Sequence, residues 1–371
     1  MDTEQDGDAT NRDIGDTAVD RVVSGRAWDE FCDRLKASGR LVLEMSDEAD
    51  VLDRVEGFRH LARLVRGGLE SYLEVGDPRF PLVSGLPNQV KIGSDNPDST
   101  YQSVNIDGRH DYRLWGNRGT VHYLGFGAYT GNYGAGASRL GHMGSLDGSD
   151  LKIDDDGRFE VVLSQREQSG NWIPLLPERG TLVIRQFHLD REAEEPAGIR
   201  IERIGAEDRP EPLSAASLAH GLAGTNLFVD GVVRRFTGKV DEWAKRPNTL
   251  EPDPAMGTGA WGDPNQIFRH GYWTLEPGQM LVISFIPPPC FYWNFQLDNR
   301  WMESLDYRFH PVTVNGHSAV TESDGTVQIV VADVDPGFGN WMSTCGHRHG
   351  AMGLRWNQAE RDVQPTCEVR P

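Results

Sequence analysis

An aromatic and polar run at residues 292–307 reads YWNFQLDNRWMESLDY. Side chains of an extended strand point alternately to opposite faces, so this run would have two different surfaces. We expect Phe295 and Leu297 to face a core, and the other face to form a polar, aromatic surface made by Tyr292, Asn294 and Gln296. The pattern indicates a sandwich strand that enters a turn.

Similar short β-rich runs lie on both sides of this segment, separated by Gly and Asp turns. Upstream they are residues 112–114, 120–126, 159–163 and 181–187; around and after it they are 279–286, 291–297, 317–321, 326–332 and 352–356. Closely spaced strands without intervening helices favour a β-sandwich or jelly roll over a doubly wound sheet. We therefore predict a mainly β protein with a few helices and two β-rich domains, the C-terminal one a jelly-roll-like sandwich.

Three segments have helical periodicity. Apolar side chains predict one helix over 25–37 and a second that Asp47 caps and that ends by Gly76. A third is predicted over 214–245, where Gly221 and Gly224 could split it. The resulting domain prediction is a disordered acidic tail (1–24), helices plus a β-rich domain (25–210), a helical connector and loop (211–266) and the C-terminal sandwich (267–371).

The charge balance excludes some classes of partner. The 371 residues contain 37 Lys and Arg against 56 Asp and Glu, a net charge of −19, which repels phosphate backbones and anionic lipids. We expect no nucleic-acid or membrane partner. The acidic start is unlike a signal peptide and the 4 cysteines lack a CxxC spacing, so a cytoplasmic location with reduced thiols is predicted. Nucleotide and hydrolase motifs are absent, and neither a cofactor nor a metal is predicted.

A second informative run, DPGFGNWMSTCGHRHG, occupies residues 335–350 and leads into Leu354-Arg355-Trp356. Together with 304–307 and the turn at 324–325, it resembles bacterial proteins whose C-terminal region belongs to the domain of unknown function family 1214. This resemblance covers the last ~110 residues. Residues 95–101, DNPDSTY, are similar to the N-terminal part of these proteins and to the companion family 1254. The resemblance implies two β-rich domains and no established reaction.

Two carboxylate motifs are candidates for proton transfer. Asp95 and Asp98 precede Tyr101, and Asp306 precedes Tyr307; a carboxylate beside a phenol can move a proton or hold a polar group. Arg113 could add a guanidinium on the next strand. The alternative is that Asn-Pro-Asp is a structural turn whose side chains satisfy local backbone amides.

His347 and His349 form a His-x-His pair that cupin-type jelly rolls use for metals. The flanking glycines favour a turn instead, so we predict a lone His347 that acts as an acid or base near neutral pH. Arg355 could hold a carboxylate. Cys345 is interpreted as a buried thiol rather than a nucleophile, because no base beside it is identifiable.

These residues lead to one leading hypothesis, a cofactor-independent lyase, hydratase or hydrolase that acts on a small apolar or ring-containing metabolite in an interdomain cleft. Its predicted catalytic residues are Asp95, Asp98, Tyr101, Asp306 and His347. Substrate contacts are predicted for Arg113, Trp293, Asn294, Trp301, Tyr307, Asn340, Trp341 and Arg355.

Two alternatives stay open. Tryptophan faces with carboxylates also suit a carbohydrate-binding or glycan-processing sandwich, whose mechanism would depend on the distance between two carboxyl groups. A non-catalytic binding or assembly protein is the other, and would be favoured if the motifs are buried braces between loops. The expected partner is a small-molecule substrate, and self-association into a homo-oligomer is left open.

Overall fold

The computed structural model describes residues 17–47, 50–85, 90–131, 140–259 and 261–371. Its helices are α1 (Ala18–Val23), α2 (Arg26–Met45), α3 (Val51–Leu69), α4 (Ala215–Ala244) and α5 (Pro254–Gly259), with a π-helical turn at Glu70–Glu74. Among these residues, no helix has both the length and the apolar character needed to cross a bilayer.

The N-terminal helices begin and end at other residues than predicted. Residues 1–16 of the predicted tail lie outside the described residues, and α1 follows them because Thr17 and Asp20 form a capping box. Helix α2 continues past residue 37 to Met45, since buried Leu41 and Val42 extend its apolar face. The N-cap of α3 is Asp50, not Asp47.

Helix α4 agrees with the prediction at both ends and is not split by its glycines. Ser214 caps it by accepting the N–H of Ser217. A Cβ on Gly221 would lie 2.9 Å from the carbonyl oxygen of Tyr72, and one on Gly224 would lie 3.1 Å from the ring of Tyr72. The glycines therefore let the π-helical turn pack directly against α4.

The first β-sandwich consists of two sheets around one core. One sheet has, in spatial order, β1 (Ser84–Gly85), β2 (Ser99–Asp107), β8 (Arg179–Phe187), β4 (Tyr123–Thr130) and β5 (Gly141–Leu146). The other has β7 (Asn171–Pro174), β6 (Arg158–Ser164), β3 (Tyr112–Asn117) and β9 (Gly198–Arg203). Apolar side chains from both sheets form a single buried cluster between them.

The second sandwich is built in the same way. One sheet has β10 (Glu251–Pro252), β11 (Gln266–Thr274), β17 (His349–Asn357), β13 (Tyr292–Leu297) and β14 (Thr313–Asn315). The other has β16 (Asn340–Ser343), β15 (Val327–Ala332), β12 (Met280–Phe285) and β18 (Thr366–Arg370). The mainly β fold with two β-rich domains, the second a sandwich, is confirmed.

One predicted strand is wrong. Residues 316–318 form a turn, because the side-chain oxygen of Asn315 accepts the backbone N–H of His317 and of Ser318, and Thr321 makes an isolated bridge to Val327. An Asx side chain that satisfies the next amides replaces the ladder that a strand would need. The strand ends at Asn315 instead.

The helices form a layer on the outer face of the second sandwich. Leu64 of α3, Val229 of α4 and Tyr272 of β11 belong to one buried cluster, so the central strands of this sheet are covered on both faces. The sequence-based domain division grouped α2 and α3 with the first β domain, whereas their apolar faces pack on the second sandwich.

Candidate functional site

The loop before β2 meets the polar face of β13. The side-chain amide of Asn96 donates to the hydroxyl of Tyr292 (2.9 Å), and that of Asn294 donates to the side-chain oxygen of Asn96 (3.0 Å). Gln296 donates to the carbonyl oxygen of Asp95 (2.9 Å). The fold therefore joins residues 95–96 to β13 by direct hydrogen bonds, although the two segments lie far apart in the sequence.

Arg355 of β17 completes this buried polar network. Its guanidinium donates to the side-chain oxygens of Asn294 (3.3 Å) and Gln296, and to the backbone oxygen and hydroxyl (3.1 Å) of Ser94. The side chain is 4% exposed and lies 6.0 Å from the ring centre of Phe268. Arg355 thus connects the loop to two strands of the second sandwich.

Two carboxyl groups of the loop are enclosed by these contacts. Asp95 accepts the backbone N–H (2.9 Å) and the hydroxyl (2.8 Å) of Ser304. Asp98 accepts the hydroxyl of Tyr292 (2.7 Å) and the amide of Asn315 (3.0 Å). Burial raises the pKa of both carboxyl groups above the ordinary value, and the hydrogen bonds offset only part of this shift.

Asp298 is a third buried carboxyl, which the sequence analysis quoted but did not select. It is fully buried, one oxygen accepts the amide of Gln296, and the other has no hydrogen-bond partner among the described residues. Burial raises its pKa to about 7. The sequence could have indicated Asp298, because it directly follows the predicted buried strand β13 and a carboxyl in that position has little access to water.

A partly open cavity of about 180 Å³ lies beside this network and is lined by β2 and β8 of the first sandwich, by α4 and by the second sandwich. Its apolar wall includes Phe187, Phe228, Phe236, Met256, Trp261 and Phe268. An enclosed apolar space of about 150 Å³ holds a benzene ring. The cavity therefore has room for one small ring-containing molecule.

Arg185 of β8 lies in the cavity wall that the first sandwich provides. It is 7% exposed and donates to the hydroxyl of Tyr129 (3.2 Å) and to the backbone oxygen of Trp261. Burial alone would lower its pKa, but Tyr129 and Asp263 nearby raise it, so the guanidinium stays charged. Sequence analysis missed Arg185, although an arginine inside the apolar run TLVIRQF is unusual.

The predicted site residues divide into those at the cavity and those elsewhere. Asp95, Tyr101, Tyr307 and Arg355 line it. Asp98 and Asn294 belong to the hydrogen-bonded network. The structure thus brings together six of the predicted residues at or beside one cavity.

The structure does not bring His347 and Asp306 to the cavity wall. His347 lies between Glu56 of α3 (2.8 Å) and the backbone oxygen of Thr344 (2.9 Å). Burial alone would lower the pKa of His347, but Glu56 raises it above the ordinary value. Asp306 is paired with Arg308 (2.8 Å) near the surface, which lowers the pKa of its carboxyl to about 2.

The three predicted tryptophans have structural positions. Trp293 lies in the core of the second sandwich and Trp301 in the core under the helices. Trp341 is half-buried and donates to the backbone oxygen of Ala332 (3.0 Å). None of them is among the residues described at the cavity wall.

The other two predicted contacts also lie elsewhere. Arg113 is exposed on β3 and pairs with Glu160 (2.6 Å) and Glu202 (3.3 Å). The side-chain amide of Asn340 donates to the backbone oxygen of Val320 (3.0 Å). The alternation of polar and apolar residues along a strand could not show that Arg113 and Asn340 lie away from the cavity, because polar residues at the cavity follow the same alternation.

Cys345 is half-buried and its pKa is raised by burial. A raised pKa reduces the thiolate fraction and disfavours a nucleophile. The thiol is thus less buried than predicted, while its raised pKa agrees with the interpretation that it is not a nucleophile.

Fold and site together define a two-sandwich protein with a ring-sized cavity between its sandwiches. A crystal structure of an uncharacterised protein from Burkholderia cenocepacia is 41% identical to this chain, covers 95% of it and 99% of its own length, and has a TM-score of 0.92. The chain belongs to the same family as this Burkholderia protein.

Within the chain, residues 98–189 match the family described as "Protein of unknown function (DUF1214)". The sequence motifs placed this likeness in the C-terminal region, whereas the match lies mid-chain in the first sandwich. The likeness to family 1254 stays a prediction.

More distant comparisons add nothing on function. A crystal structure of a Vibrio parahaemolyticus protein is 9% identical, covers 84% of this chain and 97% of its own length, and has a TM-score of 0.46. No curated protein matches the chain.

Proposed function

We propose that the cavity binds a small ring-containing molecule with an acidic group, and that Asp95 exchanges a proton with it in a lyase, hydratase or hydrolase reaction. The observation that carries this proposal is the wall of the cavity, where the half-buried Asp95, whose pKa is raised by desolvation, lies with Arg185 and Arg355 among aromatic rings.

The lining supports a ligand that is mainly apolar. Small-molecule sites are concave, predominantly hydrophobic, and carry a few polar groups that orient the ligand. Phenyl and indole side chains account for most of the apolar wall here. A volume of about 180 Å³ favours a single ring over an oligosaccharide, which also makes the sugar hypothesis less attractive.

The two guanidinium groups support an acidic substituent on the ligand. A buried charge is stable only when it is paired, and guanidinium matches the planar carboxylate with two parallel hydrogen bonds. Asp95 at the same wall favours its neutral form because burial raises its pKa. When Asp95 is neutral it does not compensate the positive charges of Arg185 and Arg355, so an anionic ligand can pair with them.

Asp95 replaces His347 and Asp306 as the proposed proton-transfer group. A carboxyl with a raised pKa can be protonated in the resting protein and donate its proton within a bound complex. Ser304 fixes both carboxyl oxygens, so the group has a defined orientation towards the cavity. The cytoplasmic location predicted from the sequence also stays a prediction.

The proposal is tested with benzoate and its neutral analogue benzamide, titrated calorimetrically into the full-length chain in buffers of different ionisation enthalpy. At pH values above the raised pKa of Asp95, where its carboxyl is ionised in the free chain, we expect benzoate to bind with uptake of a proton onto Asp95. Benzamide should bind more weakly. Arg185→Gln and Arg355→Gln should each weaken benzoate binding roughly 10-fold to 100-fold, the value of a hydrogen bond to a charged group.

Two further variants make the test specific. Asp95→Asn should keep benzoate binding but abolish the proton uptake. Arg113→Gln, on the exposed face of β3, should leave binding unchanged. Equal affinity for benzoate and benzamide, or loss of binding only in Arg113→Gln, would refute the proposed site. A folded chain that binds benzoate without proton uptake would favour the non-catalytic alternative.

A further inference from the structure

A cluster of potential metal ligands lies at the start of α3, apart from the cavity. It consists of Asp50, Asp53 and His349, whose ligand atoms all lie within 4.8 Å of one another. His349 begins β17 on the same outer face of the sheet as Tyr272, and this face is covered by α3. Helix and sheet therefore bring together residues that are about 300 positions apart in the sequence.

The distances within the cluster suit a tetrahedral ion. The Nε2 atom of His349 is 3.1 Å from Oδ2 of Asp50 and 3.8 Å from Oδ2 of Asp53. Ligand atoms bonded to Zn²⁺ at about 2.0–2.2 Å in tetrahedral geometry lie roughly 3.3–3.6 Å apart. Shifts of a few tenths of an ångström would therefore place both pairs around one ion.

The carboxylate of Asp53 points to a ligand independently of this geometry. Asp53 is 2% exposed, and its Oδ2 atom has no hydrogen-bond partner among the residues that the structure describes. That oxygen is nevertheless the one directed at His349. An oxygen buried without a partner costs free energy, and a cation between it and the imidazole would remove that cost.

The atoms of His349 and Asp50 that would not bind the ion make hydrogen bonds to neighbouring residues, as is common around metal sites. The other ring nitrogen of His349, Nδ1, lies 2.6 Å from the hydroxyl of Tyr272. A metal-binding histidine typically uses its second nitrogen in such a hydrogen bond, which fixes the orientation of the ring. In Asp50, Oδ1 accepts the N–H of Asp53 (3.0 Å), which leaves Oδ2 for the ion.

We propose that Asp50, Asp53 and His349 bind a divalent first-row transition-metal ion such as Zn²⁺. An imidazole nitrogen with two carboxylates selects such ions over Mg²⁺, which prefers oxygen ligands alone. Asp50 and His349 are partly exposed, so a solvent molecule or a further ligand can complete the coordination. The ion would join the first turn of α3 to the start of β17, the central strand of its sheet.

The competing explanation is a protonated His349 that pairs with the two carboxylates and binds no metal. Calorimetric titration of Zn²⁺ into the chelator-treated, tag-free full-length chain separates the two. We expect one equivalent of Zn²⁺ to bind, Mg²⁺ not to compete, and the unfolding temperature to rise with Zn²⁺ concentration, since an ion that binds the folded state stabilises it.

The variants are chosen to preserve the fold. Asp50→Asn keeps an N-cap side chain but removes the charge, and His349→Gln removes the nitrogen ligand; both should lose stoichiometric binding and the rise in unfolding temperature. Tyr272→Phe should weaken binding about 10-fold to 100-fold, as for other outer-contact mutations. His310→Gln, at an exposed histidine, should bind as the natural chain does.

Either of two results would overturn the proposal. One is a natural chain that binds no Zn²⁺ and shows no change in unfolding temperature. The other is binding that survives unchanged in both Asp50→Asn and His349→Gln, because the ion would then occupy another part of the chain.

Discussion

Replacing Asp298 by asparagine should remove a pH dependence from the stability of this protein. Asp298 is fully buried, and one of its oxygens has no hydrogen-bond partner among the described residues. Ionisation therefore places a charge where neither water nor a full set of donors stabilises it. Asparagine has nearly the same shape and never carries that charge.

The direction of the effect follows from the pKa of Asp298 in the two states. Burial raises that pKa from 3.8 to about 7 in the folded protein. Between these two pKa values the folded state therefore holds a proton that the unfolded state has already released. The resulting contribution to stability is fully present below the pKa of the unfolded state. This contribution is lost as the pH rises through the pKa of Asp298 in the folded state.

The magnitude follows from the same values. The interval from 3.8 to about 7 corresponds to about 4 kcal/mol of preference for the neutral carboxyl. Because of this group, the free energy of unfolding should fall by roughly 2–3 kcal/mol between about pH 5 and about pH 8. Asp95 and Asp98 are present in both proteins, so the difference between natural chain and variant reports Asp298 together with its repulsion by Asp95, which contributes to the raised pKa.

Urea unfolding of the natural chain and of Asp298→Asn at several pH values measures this difference. Asp306→Asn is the matched control, because the pKa of that surface carboxyl is lowered to about 2 and its contribution disappears only under acidic conditions. The reasoning is refuted if the natural chain and Asp298→Asn lose stability in parallel over this range, or if Asp306→Asn produces the larger change.

Three further predictions concern packing, charge and capping, all measured by urea unfolding. A Cβ on Gly57 of α3 would lie 2.5 Å from an indole carbon of Trp301, so Gly57→Ala should destabilise the fold by about 1–3 kcal/mol. In the control Gly39→Ala, the nearest atom to the added Cβ is 3.9 Å away, so this change should be neutral or stabilising by up to about 1 kcal/mol. Equal effects of the two would contradict the packing argument. Glu303→Ala removes the buried partner of two basic side chains and should cost about 3–5 kcal/mol, whereas Glu160→Ala on the surface should cost less than about 1 kcal/mol; a small loss for both would show that the buried pair adds little. Ser214→Ala removes the cap of α4 and should cost about 1 kcal/mol, and an unchanged midpoint would show that packing alone holds that end.

Periodicity along the chain was a good guide to elements and faces. The stripe over 214–245 predicted α4 because a helix that packs on one side needs an apolar residue every three or four positions. The alternation at 292–297 predicted β13 and both of its faces. It failed at 317–321, where one side chain, that of Asn315, satisfies amides that a strand would have used.

Chemical type was a weaker guide to the site. His347 was selected because imidazole titrates near neutral pH, yet the structure pairs it with Glu56 of α3. Asp306 was selected for its neighbour Tyr307, yet it pairs with Arg308 at the surface. Arg185 was overlooked, and it lies in the cavity wall. Spacing along one segment carries no information on which distant residue will lie opposite a side chain.

The amino-acid sequence by itself determined the β-rich class, the faces of β13 and the helix at 214–245, because these depend on local periodicity. Only the tertiary structure decided which carboxyl groups lose water, which arginines line the cavity and which histidine lies beside the carboxylates of α3. Burial, and with it the pKa of each group, depends on atoms contributed by segments hundreds of residues apart, and those contacts exist only after both sandwiches and the helical layer have packed together.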